Sequence, residues 1–128
     1  MILLDTHVIL WVLKNDERLS PHASPLLRQE NSFVFSMVSL WEMGIKLGIK
    51  KLNFTLNPDW ASSIPQTLTE YSMRRIDIIP DHCKIIADLP LHHHDPFDRM
   101  LIAQALQLGD SILSVDDKFD TYPIQRIW

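Results

Sequence analysis

Met1-Ile2-Leu3-Leu4-Asp5-Thr6 opens the chain, and Ile9-Leu10-Trp11-Val12-Leu13 follows within a few residues. A short apolar run that ends in an acid and passes into a denser apolar stretch reads as a buried strand feeding a helix packed on a sheet. Asp5 or Thr6 can cap that helix, and Asn15-Asp16 closes it. The pattern of apolar residues running into carboxylates recurs. Phe33-Val34-Phe35 leads through Ser39 to Glu42, Ile85-Ile86 and Leu89-Pro90-Leu91 precede Asp95 and Asp98, and Ile112-Leu113-Ser114-Val115 runs into Asp116-Asp117. If the apolar runs are parallel strands, the acids stand at four successive strand exits along one edge, where open α/β sheets place their ligands. Carboxylates about 4 Å apart repel by roughly 4 kcal/mol per pair at an effective dielectric near 20, a cost that a divalent cation removes.

The intervening segments supply helices. Ser20-Pro21 predicts a cap and first helical residue for a helix to about Glu30, and Phe33 to Ser36 a second strand. Ser39-Leu40-Trp41-Glu42 has the form of a capping box, opening a helix that ends near Gly48. Asn57-Pro58-Asp59 reads as turn and cap for a helix within Trp60 to Tyr71, which Pro65 must start or break. Arg75 to Ile79 reads as a strand closed by Pro80, and Asp81 to Leu89 as a short helix. His92-His93-His94 forms a loop. Asp95-Pro96 then opens a helix whose Phe97, Leu101, Ala105 and Leu108 keep helical spacing up to Gly109. Ile112 to Val115 and an edge strand from Gln125 to Trp128 complete the expectation: α/β, one domain over residues 1–128, with a parallel sheet of four to five strands flanked by helices.

Composition narrows the class. A chain of 128 residues that is 46% hydrophobic and 22% charged can build a real core, which argues against disorder. Its net charge of −4 is not the footprint of a general nucleic-acid binder, although a basic rim can coexist with an acidic pocket. Lone Cys83 cannot form an internal disulfide, so a reducing, cytoplasmic setting is expected. No signal peptide and no membrane span are expected, because the first apolar run is short and Asp5 interrupts it.

Each acid has a structural alternative. Asp5 and Asp95 suit helix caps, Glu42 suits a capping box, Asp98 falls in a first helical turn, and Asp116 and Asp117 lie in a turn after a strand. Their joint placement is what points to hard oxygen ligation of Mg²⁺ or Mn²⁺ and to phosphoester chemistry.

Leu3-Leu4-Asp5-Thr6-His7 with Trp11, Ser39-Leu40-Trp41-Glu42, Leu89-Pro90-Leu91-His92 and the run from Asp95 to Ala105 closely resemble the PIN-domain proteins. Ser114-Val115-Asp116-Asp117-Lys118-Phe119 and Ile127-Trp128 fit the same pattern, which spans essentially the whole chain. The closest resemblance is to the VapC-type toxins of prokaryotic toxin–antitoxin modules. It implies a parallel α/β fold and Mg²⁺- or Mn²⁺-dependent ribonuclease action on RNA, together with a cognate antitoxin partner and a homodimer. It also implies an acidic quartet of Asp5, Glu42, Asp98 and Asp116. Asp5, Asp98 and Asp116 are then the main metal ligands, Glu42 completes the pocket directly or through water, and Thr6 and Ser114 are flanking hydroxyls. Phe119, three residues after Asp116, favours that residue over Asp117, which is left in a supporting role, and Asp95 is assigned mainly to capping with a supporting role in the site.

The histidine triplet reads as a loop, because three consecutive rings cannot easily share one ion; His92 best fits the family pattern. Arg99 suits either a substrate phosphate or a structural ion pair. Lys46, Lys50, Lys51, Arg74, Arg75 and Lys118 are candidates for a phosphate-tracking rim. Trp11, Trp41 and Trp60 suit packing or a subunit interface. Ile9, Val12, Leu13 and Leu26 suit the core or a dimer face. Two competing readings are an aspartyl-phosphate-forming phosphatase built on Asp5, for which His7 stands where a second Asp is wanted, and a non-catalytic acidic interaction module.

Overall fold

The computed structural model describes residues 1–29, 32–109 and 111–128. Five short strands, β1 (Ile2–Leu4), β2 (Phe33–Ser36), β3 (Arg74–Ile76), β4 (Ser111–Leu113) and β5 (Gln125–Ile127), form one sheet in the order β3-β2-β1-β4-β5. Every pairing is parallel, with Leu3 opposite both Val34 and Ile112. Among the described residues, six helices connect the strands: α1 (Thr6–Lys14), α2 (Ala23–Arg28), α3 (Met37–Gly48), α4 (Trp60–Glu70), α5 (Pro80–Asp88) and α6 (Pro96–Leu108). A 3-10 turn spans Asp117–Thr121.

Strand alternation divides the core between the two faces of the sheet. Leu4, Phe33, Phe35 and Leu113 face Val8, Ile9, Met43, Ile64 and Leu68, while Leu3, Val34 and Ile112 face Leu101, Ile102, Ala105 and Phe119. Burial on both faces explains why the stretches 2–4, 33–35 and 112–113 of β1, β2 and β4 are continuously apolar rather than alternating. Ile9 belongs to the first of these clusters, with Val12, Leu13 and Leu26 packed against it.

Several local expectations are corrected by the structure. The third apolar run belongs to the short helix expected over Asp81 to Leu89 and not to a strand: Ile85 and Ile86 lie in α5, and Leu89 to Leu91 lie beyond its end. Asp98 thus reaches the sheet edge from the first turn of α6 rather than from a strand exit. Ser39 does not cap α3. Ser36, the last residue of β2, already accepts from the Val38 N–H at 3.1 Å, so the helix starts at Met37 and Glu42 falls in its second turn. Ser36→Ala should lower stability by about 1 kcal/mol with no change in fold, read from the urea midpoint at constant slope. The helix expected to run to Glu30 covers Ala23–Arg28, with Ser20 Oγ accepting from the Ala23 N–H at 2.9 Å; Glu30 lies outside the described residues. Pro65 neither starts nor breaks α4 but sits inside it, where Ala61, whose carbonyl loses its helical partner, is exposed to water. β3 stops at Ile76, and Pro80 is the first residue of α5. Gly109 ends α6 with φ of 112°, a left-handed conformation that glycine adopts without strain.

Candidate functional site

β1 and β4 lie side by side at the centre of the sheet, so Asp5 and Asp116 leave it at the same edge. α3 and α6 bring Glu42, Asp95 and Asp98 to that edge as well. Asp5, Glu42, Asp95, Asp98 and Asp116 line one open cavity of about 420 Å³, together with His7, Trp11, Lys46 and Val115. A larger groove of about 720 Å³ lies between α4 and β3, but it holds a single acid, Glu70, beside Arg74 and Arg75. The acidic cavity is therefore the one with convergent chemistry.

Each acid is held differently. Asp5 is buried and caps α1: Oδ1 accepts from the Thr6 N–H at 2.7 Å, and Oδ2 accepts from Ser114 Oγ at 2.7 Å. Burial raises its pKa above the ordinary carboxyl range, and the Ser114 hydrogen bond opposes that rise. Ser114 also accepts from the Asp116 N–H at 3.0 Å, so one hydroxyl ties the β1 acid to the β4 acid. Thr6 Oγ1 lies 2.8 Å from Glu42 Oε1 and 2.9 Å from Ser39 Oγ. Having one proton, it donates to the carboxylate and accepts from Ser39. The other oxygen of Glu42 is paired with Lys46 Nζ at 2.8 Å. Asp116 Oδ1 accepts from the Lys118 N–H at 3.0 Å. Asp95 caps α6, accepting from the N–H groups of Phe97 and Asp98 at 2.8 and 3.3 Å. Asp117 is exposed in the 3-10 turn and does not line the cavity.

Asp98 has no such anchor from a cation. Burial, then the charges of Asp5, Asp95, Glu42 and Asp116, push its pKa up to about 8. A carboxyl so strained by like charge is what a cation site presents before the cation binds.

The structure adds a residue that the sequence reading passed over. His93 is buried, and its Nε2 lies 3.0 Å from Asp98 Oδ2. Atoms of His93, Asp98 and Asp116 all fall within 4.8 Å of one another. The Asp95 N–H donates to His93 Nδ1 at 3.3 Å, which leaves Nε2 as the ring nitrogen that faces Asp98. His93 Nε2 and the Asp98 carboxyl thus stand side by side without a formed hydrogen bond, and Asp5 stands beside the trio rather than in it. His92, the member of the triplet that best fits the family pattern, is exposed and lies edge-on to Tyr122 at 5.3 Å. The only hint in sequence was a histidine two residues before the helix-capping Asp95, indistinguishable there from its neighbours.

Arg99 meets neither expectation. It is 9% exposed, has no carboxylate partner among the described residues, and gives its guanidinium to the carbonyls of Ile86, Leu89, Pro90 and His93. Of the proposed basic rim, Lys46 alone lines the acidic cavity; Arg74 and Arg75 lie in the edge strand β3. Trp11 is buried against Trp128, Trp60 is half-buried against the core, and Trp41 is 56% exposed with its ring edge-on to Phe97 at 4.9 Å.

Comparison with known proteins agrees with this architecture. No curated protein matches the sequence. Among solved structures, VapBC2 from Rickettsia felis, bound to a DNA fragment from its promoter, contains a chain with TM-score 0.69 and 14% identity, covering 99% of this chain and 98% of that one. A toxin–antitoxin complex from Klebsiella pneumoniae gives TM-score 0.62 and 18% identity over 100% and 97% of the two chains. FitAcB from Neisseria gonorrhoeae gives 0.66 and 17% over 99% and 96%. At these identities the likeness establishes the fold alone. The sequence itself matches the PIN domain along residues 2–124, nearly its full length, and on that match the chain belongs to the PIN domain family.

Proposed function

We propose that this protein is a divalent-metal-dependent endoribonuclease that hydrolyses RNA phosphodiester bonds and serves as the toxin of a toxin–antitoxin pair. The observation that carries the reading is the gathering of Asp5, Asp98 and Asp116 around one open cavity, with the Asp98 pKa raised to about 8 by burial and by the charges of its neighbours. Membership of the PIN domain family supports nuclease chemistry. The three structural relatives, two of them described as VapBC2 and as a toxin–antitoxin complex, support an antitoxin partner. A homodimer and a cytoplasmic location belong to the same reading. Among the described residues, no helix is long and apolar enough to cross a membrane.

The donor set fits Mg²⁺ or Mn²⁺, because it consists of hard carboxylate oxygens at an edge open to water. Asp98 and Asp116 would hold the ion, with Asp5 alongside, and His93 offers a nitrogen at hydrogen-bond distance from Asp98. When bound, the metal supplies an activated water for in-line attack on phosphorus and positive charge for the oxygens of the transition state. The chain's own residues prepare the ground. Ser114 and the Thr6 N–H fix both oxygens of Asp5, His93 Nε2 stands 3.0 Å from Asp98, and burial together with like charge favours the protonated form of the Asp98 carboxyl.

Purified protein should cut RNA in Mg²⁺ or Mn²⁺, stop on addition of EDTA, and resume when excess Mn²⁺ is restored. RNA cleavage that continues undiminished in EDTA, or no cleavage with either ion, would refute the reading.

A further inference from the structure

The acidic cavity carries its own fixed cation. Five carboxylates line it, so even with a divalent ion seated the lining stays negative, and an anionic phosphodiester must find further positive charge to enter. Among the described residues, Lys46 is the only lysine or arginine in that lining. It lies one turn after Glu42 on α3, its side chain 31% exposed at the mouth of the cavity. Only one of the three ammonium donors is used by Glu42 Oε2, which leaves the others open to a ligand.

Glu42 is placed to hold it there. One oxygen is fixed by Thr6 and the other by Lys46, and the carboxylate is buried. A pair on an exposed helix face would have no such hydroxyl behind it.

We infer that Lys46, anchored by Glu42, is the group in the cavity that binds a backbone phosphate of the RNA substrate, which makes Glu42 a positioning residue for Lys46. This rests on the ribonuclease reading above. The inference separates two bindings that one mutation would otherwise be expected to impair together. Removing a positive charge from an acidic site favours a divalent cation and disfavours an anion.

The test is Lys46→Met, which keeps the aliphatic stem, with Lys46→Arg as the charge-retaining companion. Mn²⁺ affinity is measured by calorimetry. RNA affinity is measured by anisotropy of a labelled single-stranded oligoribonucleotide in Ca²⁺ across a salt series. Lys46→Met should bind Mn²⁺ as tightly as wild type or more so, and bind RNA ~5- to 20-fold more weakly. Its log–log salt slope should be shallower by about 0.7, the share of one phosphate contact on a single strand. Lys46→Arg should retain the wild-type slope. Unchanged RNA affinity and slope in Lys46→Met would overturn the inference while leaving the ribonuclease reading intact. Parallel loss of Mn²⁺ and RNA binding would also overturn it, because Lys46 would then act only by holding Glu42 in the metal site. A wild-type protein that neither binds nor cuts RNA would remove the ribonuclease reading itself.

Discussion

Asp98→Asn should make the metal-free protein more stable while reducing RNA cleavage by at least ~100-fold, the scale on which transition-state electrostatics is lost. The two effects share a cause. Burial and four neighbouring carboxylates hold the Asp98 pKa at about 8, so ionising it in the folded state is costly. In the unfolded chain it ionises near its ordinary value of 3.8. The folded-state pKa is therefore the higher one. Below pH 4 the carboxyl is protonated in both states and the variant has no advantage. As pH rises from about 4 towards 8, the unfolded state gains by ionising and the wild type loses ground; above 8 the difference levels off. After screening, the gain expected of the asparagine at pH 8 is about 2 kcal/mol, or roughly 5–8 °C in melting temperature for a chain of this size. Saturating Mn²⁺ should reverse the order, since wild type gains binding free energy that the variant lacks. Melting curves at pH 4, 6 and 8, with EDTA and with Mn²⁺, check all three statements. A variant that melts below wild type at pH 8 in EDTA would contradict the account.

Arg99→Lys should cost about 3 kcal/mol, near 10 °C in melting temperature, despite preserving the charge. The guanidinium reaches Ile86 and Leu89 at the end of α5, where the helix dipole concentrates negative potential, and Pro90 and His93 in the loop that follows. Tyr122 completes the knot. Its hydroxyl donates to the Pro90 carbonyl at 2.7 Å and accepts from the His93 N–H at 2.8 Å. An ammonium has three donors on a point, not five in a planar fork, and cannot span these acceptors. Since the same loop carries His93, the variant should also bind Mn²⁺ ~10-fold more weakly, in the range found for partners of metal ligands. Calorimetry beside urea unfolding separates the two effects, and a melting temperature within about 2 °C of wild type would refute the structural role.

These two residues show what sequence could and could not convey. Strands such as Phe33–Ser36 were legible because burial on both faces writes itself as an unbroken apolar run, and α6 because Asp95, Pro96 and Gly109 mark its ends. Asp5, Glu42, Asp98 and Asp116 were legible as one set, and the fold brings all four to one cavity. Arg99 was not, because its partners are carbonyls, which every residue possesses and no side-chain pattern announces. His93 was hidden for a related reason: its orientation depends on the Asp95 N–H, the Tyr122 hydroxyl and Arg99, the hydroxyl lying 29 residues away. The start of α3 was misplaced because Ser36 and Ser39 are equally good caps by type. Only the point where β2 leaves the sheet decides between them.

The Ser114–Asp5 hydrogen bond joins residues 109 positions apart. A ribosome adding about 5–20 residues per second would present Asp5 several seconds before its partner exists. Until β4 inserts beside β1, the cavity lacks Asp116 and the clamp on Asp5, whatever local structure the earlier helices have reached. If the cavity is the seat of RNA cleavage, every nascent chain is inert towards its own message through most of its synthesis, a safeguard written into strand order.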